Sequence, residues 1–159
     1  MNKKNLIEQM LIQLQAEVEM LEASAKSASS AATHEESKPE NKYDTRGLEA
    51  SYLAGAQTAR IEQVKSGMAL LQQMQLKAFA EDDAIAPSAI IELESGEQKS
   101  FVFLVVSGAG LQLRSEGLKL VAVTTSSPMG KGLIGKFVGD VATIKIGDSL
   151  REYEIVSVE

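Results

Sequence analysis

Apolar residues recur at alternating steps of four and three along the first thirty residues: Ile7, Leu11, Leu14, Val18, Leu21, Ala25 and Ala28. Steps that average 3.5 residues keep one stripe of an α-helix turned toward a partner, so this run predicts a coiled-coil seam. No Pro or Gly interrupts it. Between Thr33 and Gly47 the pattern fails: His34, Glu35, Glu36, Ser37, Lys38, Glu40 and Asn41 are polar, and Pro39 opposes helix continuation. A second seam follows in Ala50, Ala54, Gln57, Ile61, Val64, Met68 and Leu71. Two seamed helices joined by a short polar segment fold back most simply as an antiparallel hairpin. Small residues (Ala25, Ala28, Ala50 and Ala54) lie nearest the turn, so the hairpin is expected to be slimmest at its tip. Each arm of about 30 residues spans roughly 45 Å. The same periodicity also suits a dimerising coiled coil or one pair of a larger bundle.

The period then changes. Glu81-Asp82-Asp83 leads into Ala84-Ile85-Ala86-Pro87, which closes the helical region. Ala89 to Leu93 and Ser100 to Val106 are rich in β-branched and aromatic residues, with Ser95-Gly96-Glu97 reading as the hairpin turn between them. Leu118 to Thr124, Val141 to Ile146 and Glu152 to Val158 read as three further strands. A short helix is expected from Ser127 or Pro128 to about Ile134, with a Ser N-cap, a first-turn Pro and Gly135 as the stop. The expected fold is therefore α+β: a helical hairpin over 1–80 with its turn at about 33–46, a linker at 81–88, and a twisted antiparallel sheet with one short helix over 89–159.

Composition narrows the function. An excess of 22 acids over 16 bases disfavours free-standing DNA binding, because an acidic surface repels phosphate. Without cysteine there is no disulfide, thiolate metal site or cysteine nucleophile. The start of the chain reads as neither a signal peptide nor a membrane span, so a cytoplasmic location is the expectation. Gly108-Ala109-Gly110 begins like a dinucleotide fingerprint, but Leu111-Gln112-Leu113 lacks the third Gly, and a turn between strands explains it better. His34, the one histidine, falls in the polar turn and reads as a surface residue. Four carboxylates, Glu35, Glu36, Glu40 and Asp44, fall within ten residues there; such oxygen-rich clusters suit hard cations such as Mg²⁺. Lys38, Lys42 and Arg46 partly neutralise them, and a solvated acidic loop is the plainer reading.

The run Ser126-Ser127-Pro128-Met129-Gly130-Lys131-Gly132-Leu133-Ile134-Gly135-Lys136, with Val138-Gly139-Asp140 and Tyr153-Glu154-Ile155-Val156, resembles the C-terminal domain of the Gre transcription elongation factors. The resemblance covers roughly 89–159 and implies a fold similar to the FKBP prolyl isomerases. It also implies a partner, bacterial RNA polymerase, with nucleic acid met only through the elongation complex. In that family the globular domain docks at the rim of the secondary channel and the hairpin enters it. Acids at the tip then help hold a second Mg²⁺ supplied in the polymerase active site, which promotes cleavage of backtracked RNA. The chain is thus expected to be no enzyme itself, to bind no metal alone and to be monomeric. Aligning the tip with the Asp-Leu-Ser-Glu-Asn type motif of the cleavage factors matches Glu40-Asn41 to its last two residues and leaves Ser37 at the first acid. Glu40, with Glu36 or Asp44, is then the candidate Mg²⁺-holding set, and Ser126, Ser127 and Pro128 are the candidate docking residues. A non-cleaving competitor in the same channel, and a coiled-coil scaffold or chaperone unrelated to polymerase, are the rival readings. Isomerase activity is not expected, because Phe101, Phe103, Phe137 and Tyr153 read as core rather than as an aromatic floor.

Overall fold

The computed structural model describes residues 1–33 and 45–159. Two helices come first, α1 (Lys3–Thr33) and α2 (Arg46–Gln73). They are followed by β1 (Ile90–Ser95), β2 (Gln98–Val105), β3 (Gln112–Ser115), β4 (Leu118–Thr124), α3 (Pro128–Leu133), β5 (Val141–Ile146) and β6 (Ser149–Val158). Among the described residues, no helix is long and apolar enough to cross a membrane. The chain divides into two compact units, one of 13–66 and one of 1–12 with 67–159.

In the 13–66 unit the seams meet as expected. Leu14, Val18, Ile61 and Val64 are buried, while Leu21 and Ala25 are only partly covered. The rims carry cross-helix polar pairs: Arg60 donates to Glu17 at 2.8 Å, Lys65 to Glu22 at 2.8 Å, and Gln57 Nε2 to Ser24 Oγ at 2.8 Å. Exposed ion pairs of this kind are screened by solvent and add little, so the apolar seam supplies the stability.

The other unit is a six-stranded sheet in the order β3-β4-β2-β1-β6-β5. Neighbouring strands are antiparallel except β2 and β4, which pair in parallel from Phe101↔Leu120 to Val105↔Thr124. This departs from the fully antiparallel expectation. Its cause is β3, which the glycine-rich stretch concealed: the β3–β4 hairpin turns at Glu116-Gly117 and lays β4, not β3, beside β2. The strand is short, but Leu113 alternates with polar Gln112 and Arg114, which was its one available signal. At the other end β6 begins at Ser149, paired with Ile146, three residues before the expected Glu152.

Consecutive residues of the central strands are buried on both faces: Ile90 and Ile91 in β1, and Val102 to Val105 in β2. One face forms a core of Ile91, Leu93, Val102, Leu104, Val123, Ala142, Ile144, Tyr153 and Ile155, closed by Leu133 of α3. On the other lie Phe103, Leu113 and Leu120. There Gln9 clasps the backbone of Arg114, donating to its carbonyl at 2.8 Å and accepting from its N–H at 3.0 Å. Leu6, Met10 and Leu71, each at most 1% exposed, belong to this unit rather than to the seam alone. Gly108 has a φ of +79°, which favours glycine, and a Cβ there would lie 2.7 Å from Cε at the flexible end of Met10.

The boundary region differs from the expected 1–80 hairpin and 81–88 linker. Helix α2 stops at Gln73, and the backbone of Lys77 finds partners elsewhere: its N–H donates to Ser88 Oγ at 2.9 Å and its carbonyl accepts from Lys3 Nζ. The 81–88 segment is packed, with Ile85 1% and Ser88 0% exposed. Ile85 is stitched to the loop after α3 in both directions, donating to Lys136 O and accepting from Gly135 N. Acids and Pro87 marked this stretch as polar punctuation, whereas one apolar side chain and its backbone bonds make it part of the core.

Leu14→Ala should destabilise the protein by about 2–5 kcal/mol in urea denaturation, as a buried large-to-small change does. Ile12→Ala, at a position 70% exposed, should stay within about 0.5 kcal/mol.

Candidate functional site

Glu36, Glu40 and Asp44, together with His34, lie outside the described residues. The adjoining start of α2 is ordered by Thr45, whose carbonyl accepts from Glu49 N at 2.8 Å and whose hydroxyl donates to Glu49 Oε1 at 3.0 Å. Glu49 in the first turn also suits the positive end of the helix. Among the described residues, no cluster of His, Cys, Asp or Glu is arranged to hold a metal.

The Ser126-Ser127-Pro128 segment is fully described, and it is rigidly built. As β4 ends, Thr125 N donates to Val105 O at 3.0 Å, so the chain leaves the sheet still tied to β2. Ser127 then takes an extended conformation, with φ −69° and ψ 159°, and caps α3: its Oγ accepts from Gly130 N at 3.0 Å. The same hydroxyl donates to Thr124 O at 2.8 Å, so its hydrogen-bonding capacity is largely committed to holding the turn. Pro128 supplies the first helical residue, where its missing N–H loses nothing. Gly130 is buried against the end of β4, and a Cβ there would meet Thr124 O at 2.1 Å. This contact explains the glycine two residues after Pro128, with no call on backbone conformation.

The three docking candidates therefore divide. Ser127 is a cap and is only partly exposed, whereas Ser126 and Pro128 face outward on either side of it. Beyond α3 the chain exposes further apolar surface that the sequence reading missed: Ile134 at 43% and Phe137 at 45%. Phe137 was expected in the core. Instead Asp140 folds the 137–140 turn back on itself, its Oδ2 accepting from Phe137 N at 2.9 Å, and the ring stays outside. Phe103 and Tyr153 are buried as expected.

A hairpin seam, a mixed sheet with its last strand inside, and a Ser-capped helix on the end of β4 define a two-part class of protein. The family model for the C-terminal domain of the GreA/GreB transcription elongation factors matches residues 80–159. The chain is 33% identical over 120 residues to the transcription inhibitor protein Gfh1 of Thermus thermophilus, covering 73% of this chain and 72% of that one. It is 32% identical over 101 residues to transcription elongation factor GreA of Ralstonia nicotianae, covering 63% and 61%. The crystal structure of Thermus aquaticus Gfh1 aligns over 98% of this chain and 95% of its own, at 25% identity and a TM-score of 0.41. This chain belongs to the GreA/GreB family of transcription elongation factors.

Gly130→Ala should lower stability by about 1–3 kcal/mol, because the new methyl meets a backbone oxygen that cannot yield. Ser127→Ala should cost about 1 kcal/mol through loss of the cap, and both losses are read by thermal unfolding.

Proposed function

We propose that this protein regulates transcription elongation in the bacterial cytoplasm by binding RNA polymerase at its secondary channel. The sheet unit docks through the outward surface of the capped turn, with Ser126 and Pro128 in contact and Ser127 holding their geometry. The helical pair enters the channel. The observation that carries this reading is the preformed Ser-Pro turn within residues 80–159, the stretch matched by the GreA/GreB C-terminal family. A rigid, partly apolar edge loses little conformational entropy on docking, which favours affinity.

At the tip, Glu40 with Glu36 or Asp44 would hold a Mg²⁺ ion brought by the polymerase, and that ion would activate water for cleavage of backtracked RNA. The protein itself is then no nuclease but a stimulator of the polymerase's own cleavage. A second reading has a specific observation behind it. Ser37 stands where the cleavage motif has its first acid, and relatives of this chain are named transcription inhibitors. In this reading the hairpin occupies the channel without completing the metal site, and it acts as a competitor.

Stalled, backtracked bacterial elongation complexes separate these readings when co-migration with polymerase and shortening of labelled RNA are followed together. Co-migration is expected, and Pro128→Ala with Ser126→Ala should weaken it. Shortening that disappears in Glu40→Ala/Asp44→Ala establishes cleavage stimulation, whereas binding without shortening establishes the competitor. Absence of binding at low salt overturns the polymerase assignment and leaves the coiled-coil scaffold.

A further inference from the structure

An open cavity of about 440 Å³ lies beside the first turn of α1, lined by Lys3, Lys4, Leu76, Lys77, Phe79 and Glu159. All of these residues belong to the same compact unit. The Lys3 side chain is partly buried. Its Nζ sits 4.7 Å from the centre of the Phe79 ring and donates to the Lys77 carbonyl. The titratable groups facing it are Lys4 and Lys77, the Glu159 carboxylate and the α-amine of Met1, which itself pairs with Glu159 at 2.6 Å. Glu159 is thus shared, and its pull on Lys3 is outweighed by the loss of water: burial lowers the Lys3 amine to about 8.

We propose that Lys3 is an acylation site, taking a small acyl group from an acyl phosphate and housing the product amide in this cavity. The amine lone pair attacks the carbonyl carbon and forms the N–C bond. The bond from that carbon to the phosphate oxygen breaks, phosphate leaves with the electron pair, and the displaced amine proton passes to phosphate or water. Three features favour this donor and product. The cationic Lys4 and Lys77 beside the cavity draw in the anionic donor. A protonated amine must shed its proton to react, and a site that disfavours the charge supplies the free amine near neutral pH. The resulting amide is neutral, keeps one N–H for the Lys77 carbonyl, and can lay its acyl group against Leu76 and Phe79. The burial that penalises the ammonium therefore does not penalise the product.

The test incubates the full chain with acetyl phosphate between pH 6.5 and 9.5 and follows each lysine by peptide mass mapping. Lys26 and Lys119, both exposed, serve as internal references. Lys3 should be acetylated at least about 10-fold faster than either at pH 7.5, because its partial burial disfavours the charged amine. Its own rate should rise with pH and level off above about 8. A neutral acetyl ester should give a smaller preference for Lys3 over Lys119. Equal rates for the three lysines, or a common pH profile, would overturn the site; an equal preference with the neutral ester would overturn the donor.

Discussion

Burial of both faces of the central strands is the constraint from which most of this structure follows. β1 and β2 place consecutive large apolar residues on opposite sides, so neither side can face water. One side is closed by α3 and by the packed 85–89 segment. On the other, Gln9 of α1 bonds the backbone of Arg114, and Met10 and Leu71 come up against Gly108. Residues 1–12 and the end of α2 are thereby part of the sheet unit. A Cβ at Gly67 of α2 would lie 2.3 Å from Ser107 Oγ, and one at Gly108 2.7 Å from Met10 Cε.

The same economy of contacts shapes the turn that follows β4. Helix α3 has six residues, too few to hold its form by its own hydrogen bonds. It persists because Ser127 caps it, Gly130 lets it press onto Thr124, and Leu133 inserts into the core. Those demands consume Ser127 and leave Ser126, Pro128, Ile134 and Phe137 for the outside. A surface that combines a fixed turn with exposed apolar groups is suited to recognition of a protein. Its rigidity is a by-product of the sheet on which it stands.

The proposed function assigns docking and chemistry to different parts of the chain. The Ser-Pro turn of the sheet unit is capped and built on the end of β4. The segment between the helices carries Glu40-Asn41 with Ser37 three residues before Glu40, and lysines at 38 and 42. How many carboxylates a segment offers governs its reach toward a hard cation.

Much of this was legible in the residues themselves. The helical seams, the five longer strands, the Ser127 cap with Pro128 behind it, and the Gly135 stop are local properties, written in spacing and in conformational preference. The register of β1 with β2 follows from the turn at Gly96. What the tertiary structure alone decided are the matters that depend on distant partners. Leu113 needs Leu120 across from it to make a four-residue strand of β3, and that strand forces the parallel β2–β4 pairing. Ile85 becomes core only when Gly135 and Lys136 come alongside. Phe137 is apolar enough for an interior yet lies outside, in a turn that Asp140 closes by accepting from its N–H. Lys3 resembles any other lysine until Phe79 and Lys77, more than seventy residues away, enclose it. Periodicity records which face of an element is apolar. Which other element covers that face, and what is left uncovered, is settled only when the chain folds.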